Sequence, residues 1–277
     1  MRMNFERLPK SNLHTHTRFC DGDHTPEEMV RAAISLGMDT LGFSGHSTVR
    51  FASDACMSRE ATAAYIDEVN RLKAQYDQQL HILLGIEQDY YADTPAIEYD
   101  YIIGSVHYVR TEGQYFAIDA DRETLIRLVR EQFSGDFYRF AKHYFELTAR
   151  LVERTGCHIV GHFDLLTKFN RDGSLFDEKD PRYLRAALDA LDALLEKDVI
   201  FEINTGDFAC ARRRVPYPAP ILLHRIAEKR GHVTLSSDAH SCEMLLTGFR
   251  DALMIARAAG LGAVRVMTRN GWKSCSL

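Results

Sequence analysis

The stretch Ser11-Asn12-Leu13-His14-Thr15-His16-Thr17 decides the fold, because it is a short β-like run that carries two histidines. Period-two alternation along a strand places His14 and His16 on one face, where both imidazoles can reach one ion. Asp21 follows in the loop Phe-Cys-Asp-Gly. Apolar runs that end in a metal-capable side chain recur along the chain at Gly-Phe-Ser-Gly-His46, Leu-Gly-Ile-Glu87, Gly-Ser-Val-His107, Val-Gly-His162 and Ser-Ser-Asp238-Ala-His240.

Short β-like runs alternate with amphipathic helical stretches, a pattern that predicts a mostly parallel sheet. Because the metal-capable residues follow successive strands, we predict a distorted TIM-like (β/α)7 barrel with its chemistry at the carboxyl ends of the strands. Residues 1–277 are expected to form a single domain, with one further short strand over residues 262–268. The seven predicted barrel strands are Ser11–Thr17, Thr40–His46, His81–Asp89, Tyr101–Val109, His158–Leu165, Val199–Thr205 and Val233–Asp238.

Two predicted helices have clear start signals. Thr25-Pro26-Glu27-Glu28 reads as an N-cap, a proline in the first helical position and a capping-box glutamate. Asp180-Pro181 begins another helix. The longest gap between strands, from Val109 to His158, is predicted to hold two helices that break at Ser134-Gly135. In a barrel this segment leaves from the catalytic face, so it could act as a lid.

Composition narrows the class of protein. The chain has 277 residues, 45% of them hydrophobic and 26% charged, which is typical of a globular enzyme. A net charge of −5 argues against a dedicated nucleic-acid binder. The six cysteines form no CxxC pair, so reduced thiols are expected. We see no signal-peptide pattern and no apolar run of membrane-spanning length, which favours a cytoplasmic protein with no membrane partner.

The chemical types of the metal-capable side chains indicate which metal ions would bind. Imidazoles and carboxylates gathered at one barrel mouth suit zinc, manganese or iron. Glu87 emerges from an apolar run and needs a partner; two cations would satisfy both of its oxygens, and an arginine across the barrel is the alternative. Asp21 could instead be an ordinary turn-forming aspartate. One histidine after an apolar run is usually a core residue, but three at equivalent positions are hard to explain by packing.

Taken together and in this order, these motifs resemble the PHP (polymerase and histidinol phosphatase) metallohydrolases. The stretches Gly-Phe-Ser-Gly-His-Ser, Gly-Ser-Val-His-Tyr-Val, Gly-His-Phe-Asp-Leu, Glu-Ile-Asn-Thr-Gly and Ser-Asp-Ala-His are similar to the histidinol-phosphatase branch. The resemblance implies two or three divalent ions. One departure is that Asp21 stands where many PHP proteins have a histidine. The ligand set that the resemblance implies is His14, His16, Asp21, His46, Glu87, His107, His162, Asp238 and His240.

The resemblance also implies an activity, the hydrolysis of L-histidinol phosphate to L-histidinol and phosphate in histidine biosynthesis. Paired cations can activate water and clamp the oxygens of an in-line displacement at phosphorus. Asp21, Asp238 and His240 are candidates for the catalytic proton donor. The alternatives are a phosphoesterase for nucleotides or another small phosphate, and a non-catalytic metal-binding module. Oligomeric state is not readable from the sequence.

Cationic side chains outside the ligand set are expected to hold the phosphate of the substrate. By resemblance we favour Lys168 and Arg213, which follow predicted strands on the metal face. Arg213 lies in the run Arg212-Arg213-Arg214, and such a run is often only a solvated loop. His24, near a helix N-terminus in the first loop of the active face, is a weaker candidate for contact with substrate.

Overall fold

In a computed structural model that describes residues 10–51, 55–95, 97–209 and 215–277, seven parallel strands form one sheet in the order β1-β2-β3-β4-β7-β8-β9. Two antiparallel hairpins, β5–β6 and β10–β11, lie outside it. The strands are β1 (Ser11–Asn12), β2 (Thr40–Phe43), β3 (His81–Asp89), β4 (Tyr101–Ser105), β5 (Tyr108–Thr111), β6 (Gln114–Ala117), β7 (Ile159–Val160), β8 (Ile200–Asn204), β9 (His232–Ser236), β10 (Ala263–Thr268) and β11 (Gly271–Ser276).

Helices fill the intervals between the strands, and they bury the apolar stripes seen in the sequence. Among the residues that the structure describes, no helix combines the length and the apolar character needed to cross a membrane. The helices are α1 (Pro26–Ser35), α2 (Arg59–Tyr76), α3 (Arg122–Gln132), α4 (Phe137–Thr148), α5 (Leu151–Thr155), α6 (Pro181–Leu195), α7 (Gly206–Ala209), α8 (Pro220–Glu228) and α9 (Phe249–Ala258).

The sheet curls until its first and last strands meet. Thr15 and Ala239 form a parallel bridge beyond the ends of β1 and β9. The amide of His16 donates to the carbonyl of Ala239 at 2.8 Å, and the amide of Ala239 donates to the carbonyl of His14 at 3.0 Å. The chain therefore folds as the predicted nearly closed (β/α)7 barrel.

All seven predicted barrel strands are present, but several are shorter than predicted. Regular pairing of β1 ends at Asn12 rather than Thr17. β7 covers only Ile159–Val160, because the chain turns after it: the amide of Leu165 donates to the carbonyl of His162 at 2.9 Å. In β1 and β7, regular strand pairing ends just before the metal-capable histidines, so the side chains of these histidines can turn toward the barrel mouth.

Tyr101 fills the interior of the barrel. Its ring is 1% exposed, and its hydroxyl lies 2.5 Å from the carbonyl oxygen of Leu13 and 3.0 Å from that of Phe43. A Cβ atom added at Gly85 would lie 2.3 Å from the Tyr101 ring, and one at Gly42 would lie 2.3 Å from its hydroxyl. The two glycines in the apolar strands therefore make room for this one large side chain.

The amino-terminal end of the barrel is covered by the hairpin β10–β11. Met267 and Trp272 pack against the interior cluster that contains Leu13 and Tyr101, and Thr40 Oγ1 donates to the carbonyl of Met267 at 2.9 Å. The short strand predicted over residues 262–268 is β10, so that prediction is confirmed. β11 was not predicted, because Gly-Trp-Lys-Ser-Cys-Ser lacks a continuous apolar pattern.

The segment between β4 and β7 leaves from the other end, over the mouth. It holds the predicted helices α3 and α4, and the break between them occurs at Ser134 and Gly135, whose φ angles are 56° and 78°. The hairpin β5–β6 precedes them and was missed by the sequence analysis. A lid function for this segment stays a prediction.

The predicted helix starts are confirmed in detail. Thr25 caps α1, with its hydroxyl accepting from the Glu28 amide while the Glu28 carboxylate accepts from the Thr25 amide, and Pro26 opens the helix. Asp180 caps α6, where its carboxylate accepts from the Arg182 amide at 2.8 Å. These caps fix how the chain returns from the barrel to the outer helices.

Candidate metal centre and active site

The carboxyl ends of six strands and one loop bring all nine predicted metal-capable residues together. His14 and His16 follow β1, His46 follows β2, and Glu87 lies within β3. His107 follows β4, His162 follows β7, and Asp238 and His240 follow β9, while Asp21 comes from the loop before α1. His14, His16 and Glu87 are almost completely buried, whereas Asp21 is at the open rim.

Glu87 lies at the centre of this cluster, where it contacts four histidines and accepts from the hydroxyl of Ser105 at 2.7 Å. Oε2 is 2.8 Å from Nδ1 of His46 and 3.3 Å from Nε2 of His14. Oε1 is 2.9 Å from Nε2 of His162 and 3.3 Å from Nε2 of His107. Among the described residues, the charged partners of Glu87 are thus histidines and not an arginine, and its bridging role between two cations stays a prediction.

One group of metal-capable donor atoms is buried from solvent. Nε2 of His14 lies 3.3 Å from Oε2 of Glu87 and 3.4 Å from Oδ1 of Asp238. Nε2 of His16 lies 3.1 Å from the same Asp238 oxygen. These four atoms are buried, and none has a hydrogen-bond partner among the residues that the structure describes. Donors around a tetrahedral zinc ion lie about 3.4 Å apart, given metal–ligand distances of about 2.0–2.1 Å. The orphaned atoms therefore fit a divalent cation, and we call them the inner group.

Two more groups surround the inner one. Nε2 of His107 and Nε2 of His162 lie 3.3 Å apart, and both face Oε1 of Glu87. At the rim, Oδ2 of Asp21 lies 3.5 Å from Nε2 of His46 and 3.4 Å from Nε2 of His240. Ligand atoms of His16, Asp21, His46 and His240 all fall within 4.8 Å of one another. The cluster is a site for divalent metal.

The protonation of these side chains is strongly perturbed. Burial acts to lower the pKa of His107, but the carboxylates of Glu87 and Asp89 outweigh it and raise the pKa to about 10. Burial and the positive charges of His240 and His46 lower the pKa of His16 to about 4. Burial acts to raise the pKa of Glu87, yet the charges of His14 and His107 hold it well below the usual range. In the metal-free protein, protonated histidines such as His107 therefore balance the negative charge of carboxylates such as Glu87.

Asp238 and His240 are shaped by an unusual backbone. Asp238 has a φ of 48°, a left-handed conformation that aspartate tolerates better than most residues. Oδ2 of Asp238 accepts from Nδ2 of Asn204 at 3.2 Å, and the carbonyl of Asp238 lies 2.9 Å from Nδ1 of His240. This turn presents the Asp238 carboxylate inward and the His240 ring outward, where it stacks on His16 with centroids 4.2 Å apart.

A cavity of about 340 Å³ opens over the metal-capable cluster. Its lining includes the metal-capable residues His46, Glu87 and His107, and it also includes Asp119 and Lys168. Nζ of Lys168 lies 3.4 Å from Oδ2 of Asp119. The structure therefore brings the predicted Lys168 to the site, and it adds an acidic neighbour that the sequence analysis missed.

The other two predicted substrate contacts are Arg213 and His24. Arg213 lies in the segment 210–214, outside the described residues. Nδ1 of His24 accepts from the amide of Cys242 at 3.4 Å, and His24 is not among the described residues that line the cavity. Both assignments stay predictions.

Three further acids at the site were not assigned from the sequence. Asp89 accepts from the amide of His107 at 3.0 Å, and Glu202 lies 2.6 Å from Nδ1 of His14. Both could have been found, because each is an acid at a predicted buried strand, the signal that marked Glu87. Asp119 follows the unpredicted hairpin β5–β6, and no pattern in the sequence singled it out.

Comparisons with known proteins agree with this geometry. A family model for the PHP domain matches residues 12–206. A probable histidinol-phosphatase of Deinococcus radiodurans is 30% identical over 260 residues, which cover 89% of this chain and 92% of that protein. The histidinol-phosphatase of Bacillus subtilis is 26% identical over 256 residues, which cover 84% of this chain and 94% of that protein.

A solved structure shares the fold. Histidinol phosphate phosphatase of Lactococcus lactis subsp. lactis, complexed with zinc, L-histidinol and phosphate, superposes with a TM-score of 0.72 at 20% identity. The match covers 96% of this chain and 99% of that chain. The distorted barrel expected from the strand pattern is thus a fold that this neighbour also has.

Proposed function

The chain belongs to the PHP domain family, and from that premise we propose that it is a metal-dependent phosphomonoesterase that hydrolyses L-histidinol phosphate to L-histidinol and phosphate, a reaction of histidine biosynthesis. The observation that carries the proposal is the cavity itself. Its lining combines metal-capable side chains centred on Glu87 with a lysine and an acid, Lys168 and Asp119. The substrate is proposed because the relatives named above are histidinol-phosphatases.

We assign the nine residues to as many as three divalent transition ions, zinc, manganese or iron. The inner group (His14, His16, Glu87 and Asp238) would hold one ion, and Glu87 with His107 and His162 a second. Asp21, His46 and His240 would hold the third. When bound, ions of this class act as Lewis acids that activate water and neutralise the charge of a phosphoryl group.

The remaining residues bind the substrate and handle the proton. Lys168, and Arg213 from the neighbouring loop, would pair with the phosphoryl oxygens, since cationic side chains make strong charge-assisted hydrogen bonds to phosphate. The departing alkoxide needs a proton, and Asp21, Asp238 and His240 are the donors that we propose. Asp21 and His240 are about one-third exposed at the rim, where the leaving group would exit.

The cavity also complements the other end of the proposed substrate. L-Histidinol carries an ammonium group, and the carboxylate of Asp119 lies in the wall beside Lys168. A substrate with an anionic and a cationic end can pair with both side chains. Asp119 would thus select a substrate with an amine over a simple phosphate ester.

Steady-state kinetics on a substrate panel tests the proposal. Metal-loaded protein would be assayed with L-histidinol phosphate, nucleoside 3′,5′-bisphosphates and short oligonucleotides. We expect the highest kcat/KM for L-histidinol phosphate and loss of activity after chelation. A higher kcat/KM for a bisphosphate or an oligonucleotide would favour the alternative phosphoesterase, and inactivity of the metal-loaded protein on all of them would favour the non-catalytic module.

A further inference from the structure

Glu202 is a buried acid beside the proposed ligand set and outside it. It lies in β8 between Phe201 and Ile203, which are fully buried, and is itself 1% exposed. An ionised carboxylate in such an apolar strand is unfavourable unless donors satisfy both of its oxygens. The hydrogen-bond donors around Glu202 therefore indicate which role this carboxylate has.

Four hydrogen-bond donors converge on the two oxygens of Glu202. Oε2 accepts from the main-chain amide of His162 at 2.8 Å and from Nδ2 of Asn204 at 3.0 Å. Oε1 accepts from the hydroxyl of Ser236 and lies 2.6 Å from Nδ1 of His14. The Asn204 amide is oriented by its own Oδ1, which accepts from the Gly206 amide at 2.8 Å. Glu202 thus meets its donors as an ionised acceptor.

This arrangement determines which nitrogen of His14 is free. An acceptor at 2.6 Å from Nδ1 keeps the proton on that atom, so the lone pair of the neutral ring is on Nε2. Nε2 of His14 is one of the orphaned atoms of the inner group, and it faces Glu87 and Asp238. The same carboxylate also ties β8 to the residues that follow β1 and β7, and to β9.

We propose that Glu202 is a positioning residue that fixes the ring and the tautomer of His14 for the ion of the inner group. The inference rests on the proposed function for the presence of that ion, and it is independent of the substrate. A carboxylate that orients a metal-binding histidine in this way raises its basicity and strengthens metal binding.

Glutamine is a demanding replacement at this position. Its amide offers one acceptor oxygen and one NH2 group, so it cannot accept from all four donors. With the NH2 group on the side of His14, it would donate to Nδ1 and move the ring proton to Nε2. Turned the other way, the NH2 group would face the His162 amide and Nδ2 of Asn204, which are both donors. The volume of the side chain is nearly unchanged. E202Q therefore removes the electrostatic and hydrogen-bonding role of Glu202 with little change in packing.

The experiment measures zinc binding to E202Q by equilibrium competition with a chromophoric chelator. We expect one ion per chain to bind about 10- to 100-fold more weakly than in wild type, while the others keep their affinity. The matched control is D100N. Asp100 also accepts hydrogen bonds that hold a barrel strand, from the Leu84 amide at 2.7 Å and from Nζ of Lys73 at 2.6 Å. It directly precedes β4, whereas the proposed ligands lie at the carboxyl ends of the strands. D100N should bind every ion as wild type does.

Folded E202Q with wild-type zinc affinity would overturn the proposal, and so would equal weakening of every ion. If circular dichroism shows that E202Q does not fold, long-range ¹H–¹⁵N spectra of zinc-loaded wild type decide instead. We expect the His14 proton on Nδ1, and a proton on Nε2 would contradict the assignment. Neither readout involves substrate, so inactivity toward L-histidinol phosphate would count against the proposed function alone.

Discussion

At the scale of single residues, the metal-capable side chains and the proposed substrate-binding side chains lie on different kinds of backbone. The metal-capable side chains follow strands, where the alternation of apolar and polar residues marks them in the sequence. The residues proposed to bind the substrate come from loops and from the segment over the mouth. Only one of the three candidates predicted from the sequence, Lys168, lines the cavity among the described residues. Specificity therefore depends on positions that sequence patterns mark poorly.

Asp119 provides a test of substrate recognition. D119N should raise KM for L-histidinol phosphate at least about tenfold, because a hydrogen bond to a charged group contributes roughly 1.5–3 kcal/mol. p-Nitrophenyl phosphate lacks an ammonium group, so its KM should stay unchanged in the same variant. An equal rise for both substrates would mean that Asp119 acts only through Lys168.

The arginine loop gives a second test at this scale. R213A should lower kcat/KM at least about tenfold, since a charged hydrogen bond to phosphate is worth roughly 1.5–3 kcal/mol. R257A is the control, because Arg257 is an exposed cation in α9 and is not among the described residues that line the cavity. Steady-state kinetics that match wild type would remove Arg213 from the site.

At the scale of the elements, the barrel is built around side chains that need unusual neighbours. β2 and β3 approach Tyr101 closely, since Gly42 and Gly85 have no side chain there. The glycines are visible in the sequence, but their partner is not, because Tyr101 belongs to β4, which is the neighbour of β3 and is separated from β2 by β3. Packing between distant strands is thus the part of the fold that local patterns do not reveal.

Substitution of Gly85 tests this packing. The Cβ atom of G85A would lie 2.3 Å from the Tyr101 ring, so β3 or Tyr101 must shift. We expect a loss of roughly 1–3 kcal/mol in the free energy of unfolding, measured by urea denaturation. G262A is the control, since a Cβ there meets nothing within 4 Å. If both variants unfolded at the wild-type urea concentration, the close packing around Tyr101 would be refuted.

At the scale of the whole molecule, the metal cluster joins parts of the chain that are far apart in sequence. Residues from both ends of the barrel sequence meet around Glu87, and their opposite charges offset one another in the metal-free state. The stability of the whole barrel should therefore depend on pH in a way that differs with and without metal.

Stability against pH gives the test. The pKa of His107 in the folded metal-free protein is about 10, above its ordinary value of 6.5. Its contribution to stability is thus complete below pH 6.5 and is lost as the pH rises through about 10. In the loaded protein this histidine is already deprotonated by its ion. Thermal unfolding midpoints should fall over this range for chelated protein and change less for metal-loaded protein. Parallel curves would contradict the proposed role of His107.

Much of this organisation could be predicted from the sequence. The seven strands, the barrel and the convergence of nine metal-capable residues follow from apolar runs that end in His, Asp or Glu. The hairpins β5–β6 and β10–β11 were missed wholly or in part, because β6 and β11 are largely exposed and lack a continuous apolar pattern. Glu202 and Asp89 are acids in predicted apolar strands, as Glu87 is, so the rule that marked Glu87 also marks them.

The bridge between Thr15 and Ala239 has a consequence for biosynthesis. On the ribosome, His14 and His16 emerge first, whereas Asp238 and His240 emerge only after every other barrel strand has been made. A nascent or prematurely released chain therefore has an incomplete ligand set, whatever its degree of folding. The proposed ligand set is therefore complete only in a chain that was translated past its last barrel strand.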